Sequence, residues 1–325
     1  MSKAVLDASI RDWRNQDQKQ LQCALVTEIW TLPTTMREQY AALYLDHYYH
    51  LSNSLDYATV APKSHQDAID IVNIIRTQPL QTKQEMRQAL QAKSPQWLKD
   101  HSAEAIDSAL GYAVSLWLMV QPDGWRNDQS IIDFAAAKFP RASTRASNVK
   151  LTFDALSLRR IAKIRIVWTS NLDEHLELNS RTSALYLFSH ASFLATRHDR
   201  SPCSIYPSGF LQETEKTIAL LFPSSDTQQR TWIRRNRRLA EIDVEPGLAR
   251  RVPRSLSEYD YWFQRLEHLQ SHFDGTTPRS LSQWFHDRRD GNSFFTFWLA
   301  VAAITLTLLF GLTQSLTGLL QLILR

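Results

Sequence analysis

Glycine is scarce in this chain. Only eight of 325 residues are glycine, and two of them, Gly311 and Gly318, lie in one apolar stretch near the C-terminus. Barrels and sandwiches need many glycine turns, so the shortage favours a mainly helical protein. Cysteine is scarcer still. Cys23 and Cys203 are the whole complement, too few for a disulfide framework or a zinc site. The first residues, Met1 to Arg14, contain no uninterrupted apolar core, so they do not read as a secretory signal peptide. A glycine-rich phosphate loop, a dinucleotide fingerprint and a Gly-x-Ser-x-Gly elbow are all missing. No catalytic motif is found, so the expectation is a non-enzyme with no cofactor and no metal. Charge is nearly balanced at +4, with the excess in the second half.

What is present sits at the far end. Asp290 is the last charge before Arg325. Phe294 to Thr313 carries neither charge nor proline, and about 20 mainly apolar residues suffice to cross a bilayer. Residues 291–325 are therefore expected to be a transmembrane anchor. With no signal ahead of it, a tail-anchored topology follows, single-pass, with the bulk of the chain cytosolic. A long span with few basic residues beyond it favours the endoplasmic reticulum. Arg288 and Arg289 fit the positive-inside bias, and Trp284 and Trp298, with Phe294, Phe295 and Phe297, suit the headgroup level. Gln314, Ser315 and Gln321 suggest that the far end leaves the hydrocarbon. Ala303, Thr307, Gly311 and Ser315 recur every fourth residue, a stripe through which two membrane helices could pack, with Gln314 beside it as a cross-helix donor.

The remainder reads as a multi-helical cytosolic body with a small β-hairpin. Ala68, Ile71, Val72 and Ile75 mark one helix face, opened by Ser64 as N-cap. Residues 102 to 121 form an apolar helix too short to span a membrane, expected to be buried. A helix near 154–163 precedes alternating Ile164, Ile166 and Trp168 and a hairpin around Ser180 to Ser183. Helix then hairpin is one ingredient of a winged-helix module. Helical period returns over 209–222 and 226–242. Pro253-Arg-Ser-Leu-Ser257 recurs as Pro278-Arg-Ser-Leu-Ser282, and Ser255 with Glu258, like Ser280 with Gln283, has capping-box spacing. The division expected is a helical domain over 1–145, a mixed region over 146–245, basic and aromatic juxtamembrane helices over 246–290, and the anchor over 291–325.

Arg234, Arg235, Arg237 and Arg238, with Arg230 and later Arg250, Arg251 and Arg254, form a basic cluster. A solvated helix face is the plain reading. Anionic lipid ranks next, at about 1 kcal/mol per basic residue near a membrane, and nucleic acid last. Asp46, His47 and His50, and separately His268 and His272, have tempting spacings but no third ligand. Asp173, Glu174 and His175 read as a polar turn before an acid–base site. Ser189 and His190, as neighbours in a strand, should point to opposite faces.

From residue 150 onward the sequence also resembles a family of filamentous-fungal proteins with a C-terminal transmembrane helix. The residues that carry this are Ile166 to Leu172 with His175-Leu, Leu185-Tyr-Leu-Phe with His190 to Leu194, Leu220 to Pro223, Ser280 to Trp284 with Asp287-Arg-Arg, and Phe297-Trp with Phe310 to Gln314. It covers about half the chain. It implies a one-pass membrane protein of fungal source, and no residue role follows from it. The functional expectation is a membrane-anchored interaction or scaffold protein whose partners are the bilayer and anionic lipids, with self-association through the membrane helix. A membrane-tethered enzyme and a winged-helix-like regulator are the alternatives.

Overall fold

A computed structural model describes residues 18–32, 34–54, 62, 64–93, 102–142, 149–198, 205–223, 227–238, 243, 252–277, 283 and 291–323. Among these the chain is mainly α, with twelve helices and one three-stranded sheet. Five helices build the first layer: α1 (Gln18–Trp30), α2 (Thr34–Ser54), α3 (His65–Thr77), α4 (Lys83–Lys93) and α5 (Ala103–Leu118).

Local chemistry explains where two of these begin. Ser64 Oγ accepts the Asp67 N–H, and the Asp67 carboxylate accepts the Ser64 N–H at 2.8 Å. This reciprocal box satisfies two helix-start donors, with aspartate in the role often held by glutamate. Ser102 accepts the Ala105 N–H in the same way. The face of α3 formed by Ala68, Ile71, Val72 and Ile75 is buried, as its spacing predicts. α5 is buried continuously from Ala109 to Leu118 and packs against α2, α3 and α4. A helix apolar on every side needs neighbours on every side. The Trp30 indole N–H also reaches the Leu116 carbonyl at 3.1 Å. On its more polar start, Asp107 takes two bonds from Arg87 at 2.8 and 2.6 Å.

α6 (Ile131–Lys138) and α7 (Ala155–Arg160) lead into β1 (Arg165–Thr169). A 3₁₀ turn (Leu172–Glu174), β2 (Leu178–Asn179) and β3 (Ala184–Phe188) follow. β2 and β3 pair antiparallel, which is the predicted hairpin. The Asn179 side chain accepts the Arg181 and Thr182 N–H groups and closes its turn. The alternation of Ile166 and Trp168 belongs to something else. β1 lies parallel to β3, with Arg165 opposite Ala184 and Thr169 opposite Phe188, so the sheet order is β1-β3-β2. Local alternation reports a strand but not its partner.

The second layer is α8 (Ala191–His198), α9 (Phe210–Leu221), α10 (Thr227–Arg238), a 3₁₀ turn (Leu256–Glu258) and α11 (Phe263–Gly275). One contiguous core runs from Leu25 to Phe273. Its second half is aromatic: Phe139 and Phe210 stack at 4.2 Å between ring centres, and Phe222 and Trp232 at 5.7 Å. The expected capping box at Ser255 does not form. Ser255 gives no cap bond and pairs with the Ser257 hydroxyl at 2.8 Å, because Leu256–Glu258 makes only a tight 3₁₀ turn. α11 begins instead at Trp262, where the Glu213 carboxylate accepts the N–H groups of Asp260, Tyr261 and Trp262, each at 2.8 Å. A buried carboxylate at a helix start meets both the free donors and the helix dipole.

The last element is α12 (Gly291–Ile323). It is 33 residues long, about 50 Å at 1.5 Å per residue.

Candidate functional site

α12 has an apolar segment of 28 residues, Phe294–Gln321, long and apolar enough to cross a membrane. The core helix of a soluble protein is the usual alternative; here no part of the segment's most apolar window is buried within the chain. Eleven of the thirteen exposed large hydrophobic side chains among the described residues belong to α12, from Phe295 and Leu299 (both 75% exposed) to Leu320. Burying such a side chain is worth roughly 2 kcal/mol, so eleven left in water forgo on the order of 20 kcal/mol. Threonine is compatible with this setting. The hydroxyls of Thr305, Thr307, Thr313 and Thr317 each bond a carbonyl four residues back, at 2.8 to 3.0 Å. These four hydroxyls are thus satisfied within the helix, as hydrocarbon favours.

Ala303, Thr307, Gly311 and Ser315 share one exposed face of α12, and no atom lies within 4 Å of a Cβ built on Gly311. Trp298 stands at the start of the helix with Phe294 and Phe297, at 6.3 and 5.6 Å between ring centres. Trp284, Arg288 and Arg289 lie outside the described residues, as do Arg250, Arg251 and the repeat copy Pro278–Ser282.

The basic cluster is only partly a surface. On α10, Arg230, Arg234 and Arg235 are exposed, while Gln229 and Ile233 are fully buried. Arg237 and Arg238 end the same helix, and their side chains lie outside the described set. Arg254 turns inward and donates to the Phe153 carbonyl at 3.1 Å. It tethers a loop and is lost to any binding surface.

The histidines part company. His268 is exposed and His272 half-buried, and no group of three metal-ligating side chains occurs among the described residues. His47 is buried where α2 crosses the end of β1. Its Nε2–H donates to the Ser115 carbonyl at 3.2 Å, so Nδ1 accepts the Ser170 hydroxyl at 2.8 Å. Burial lowers its pKa to about 4 against the pull of the Ser115 and Leu116 carbonyls. His175 is enclosed by the Phe188 N–H on Nδ1 at 3.2 Å and by the Thr217 hydroxyl on Nε2 at 2.7 Å. Burial brings it to about 3, with nearby Arg265 adding to the effect. Asp173 pairs with Lys138 at 3.0 Å, and Glu174 accepts the Thr169 hydroxyl at 2.6 Å. The three residues form a polar turn.

Ser189 and His190 require a correction. They were expected to face apart, yet Ser189 Oγ lies 3.0 Å from His190 Nδ1. β3 ends at Phe188, so the alternation of a strand no longer governs this pair. Next to them, Tyr44 donates to Ser192 Oγ at 2.8 Å, and Ser192 donates in turn to the Asp243 carboxylate. Asp243 also takes the Ser192 N–H at 2.9 Å, which caps the start of α8. The His47 and His190 rings stand 5.9 Å apart. Tyr44, His47, Ser170, His190, Ser192 and Asp243 thus converge at the carboxyl ends of the parallel strands β1 and β3. Sequence reading missed this cluster because its members span about two hundred positions. A general base working near neutral pH needs a pKa near 7, and an imidazole held at about 4 holds no proton there but is a weak base.

Known proteins add nothing to this geometry: no family model, no curated protein and no solved structure matches the chain.

Proposed function

We propose that the chain is a membrane-anchored interaction or scaffold protein. In this reading α12 crosses a bilayer once and holds the helical body at the lipid surface. The observation that carries it is a 28-residue apolar helix with no buried window. A hydrocarbon core is about 30 Å thick, so the helix would tilt or emerge at its far end, where Gln314 and Gln321 lie. Arg288 and Arg289 support a cytosolic body under the positive-inside bias. Anchoring acts through local concentration: partners held on one surface meet at a raised effective concentration.

The test is a fluorescent fusion imaged in cells with and without residues 291–325. Membrane signal is expected for the full chain, at the endoplasmic reticulum, and diffuse signal without the tail. Membrane signal that survives the deletion would sink the reading.

A second reading, a membrane-tethered enzyme, rests on the Ser170 hydroxyl bonded to His47 Nδ1 at 2.8 Å. Labelling by a fluorophosphonate that is lost in Ser170→Ala would favour it. The scaffold reading expects no label.

A further inference from the structure

We propose that the surface formed by α10 and the end of α7 rests on anionic lipid headgroups and sets how the body stands on the membrane. The proposal builds on α12 as a membrane span. Buried Gln229 and Ile233 fix the rotation of α10, and that rotation turns Arg230, Arg234 and Arg235 outward. Two contacts join α10 to α7. The Arg159 guanidinium lies 6.0 Å from the Trp232 ring centre, and Arg160 donates to Gln228 Oε1 at 2.6 Å. Two helices in contact therefore carry five arginines. Among the described residues none of them forms an ion pair. Among those residues this charge has no acidic partner, and it suits an anionic ligand.

The attachment of the membrane helix selects which anion. Ile161 directly follows Arg160, and its carbonyl accepts the amide of buried Gln283 at 2.8 Å. Gly291, the start of α12, comes eight residues after Gln283. Eight residues reach at most about 29 Å. A compact body of this size is about 50 Å across, so the helix cannot leave from the opposite side. The bilayer surface lies beside the arginines, and the charge most available to them is the lipid headgroup.

Hydrogen–deuterium exchange of the full chain in nanodiscs tests this. Segments 155–165 and 227–238 are expected to exchange more slowly in discs containing phosphatidylserine than in phosphatidylcholine alone, with the difference erased by high salt. Combining Arg230→Gln, Arg234→Gln and Arg235→Gln should reduce the docked population about a hundredfold, from about fivefold per basic residue. The matching lysine variants should keep it, and an unchanged melting curve shows that the exposed substitutions leave the fold intact. Equal exchange in the two lipids overturns the proposal. Retention by neutral discs reads the anchor separately: retention without phosphatidylserine dependence removes only the surface, and dependence without retention removes only the anchor. Protection by single-stranded RNA, with none from phosphatidylserine, assigns the arginines to nucleic acid and overturns the lipid assignment.

Discussion

α5 and α12 are both apolar helices, and they end in opposite surroundings. α5 is enclosed by α2, α3 and α4, and its last ten residues are buried. α12 has no buried residue among those described and is exposed from Ala302 to Gln321. Composition alone does not separate the two. Length does, since 16 residues cannot cross a bilayer and 33 can. The protein solves the same problem twice, once with its own side chains as the solvent and once by leaving the helix to find another.

The same substitution should therefore have different consequences in the two helices. Leu110→Lys places an unpaired charge in the core and is expected to abolish folding, with loss of the cooperative melt on circular dichroism.

Acid comes next. His47, His65 and His175 are lowered by burial to about 4, 4 and 3. Their folded pKa lies below the unfolded 6.5, so the unfolded chain binds protons first as pH falls. Stability is full above about 6.5 and declines as pH drops through the interval down to those values. The loss from pH 7 to 5 is about 2 kcal/mol per imidazole. Glu213 and Asp173, raised by burial, work in the opposite direction. Urea melts across this range check the slope, and His47→Gln should flatten it. A body whose stability is flat from 7 to 5 would contradict these burials.

Leu309→Lys on α12 should leave the melt unchanged yet cost about 3 kcal/mol of insertion, read as loss from the carbonate-resistant membrane fraction. If instead it unfolds the body, α12 is a core helix after all. Glu213→Gln should cost about 2 kcal/mol in urea, since three backbone donors lose a charged acceptor. The smallest effect concerns the face of α12. A side chain added at Gly311 starts from open space at its Cβ, so any drop in self-association of Gly311→Leu measured by energy transfer in bilayers, about 1 kcal/mol, belongs to a helix–helix contact.

Local signals were legible from sequence and distant ones were not. The Ala68 to Ile75 face, the Ser64 cap, the buried helix after Ser102 and the apolar segment all depend on neighbours within a turn or two. The β2–β3 hairpin is equally local. β1 against β3 is not, since nothing in Ile166-Val-Trp indicates a parallel partner nineteen positions later. Glu213 reaches residues 47 to 49 positions away, and His175 finds Thr217 at 42. The capping-box spacing at Ser255 misled because a serine and a glutamate three apart cap a helix only where one begins.

Sequence by itself determined the helical character of the chain and the length and apolarity of α12. These follow from backbone periodicity and side-chain transfer energies, which act without regard to the rest of the chain. Only the tertiary structure decided which helix is enclosed, which histidines lose their protons and which arginines remain on the surface. Burial is a property of what surrounds a residue, and the surroundings are assembled from segments far apart in the chain.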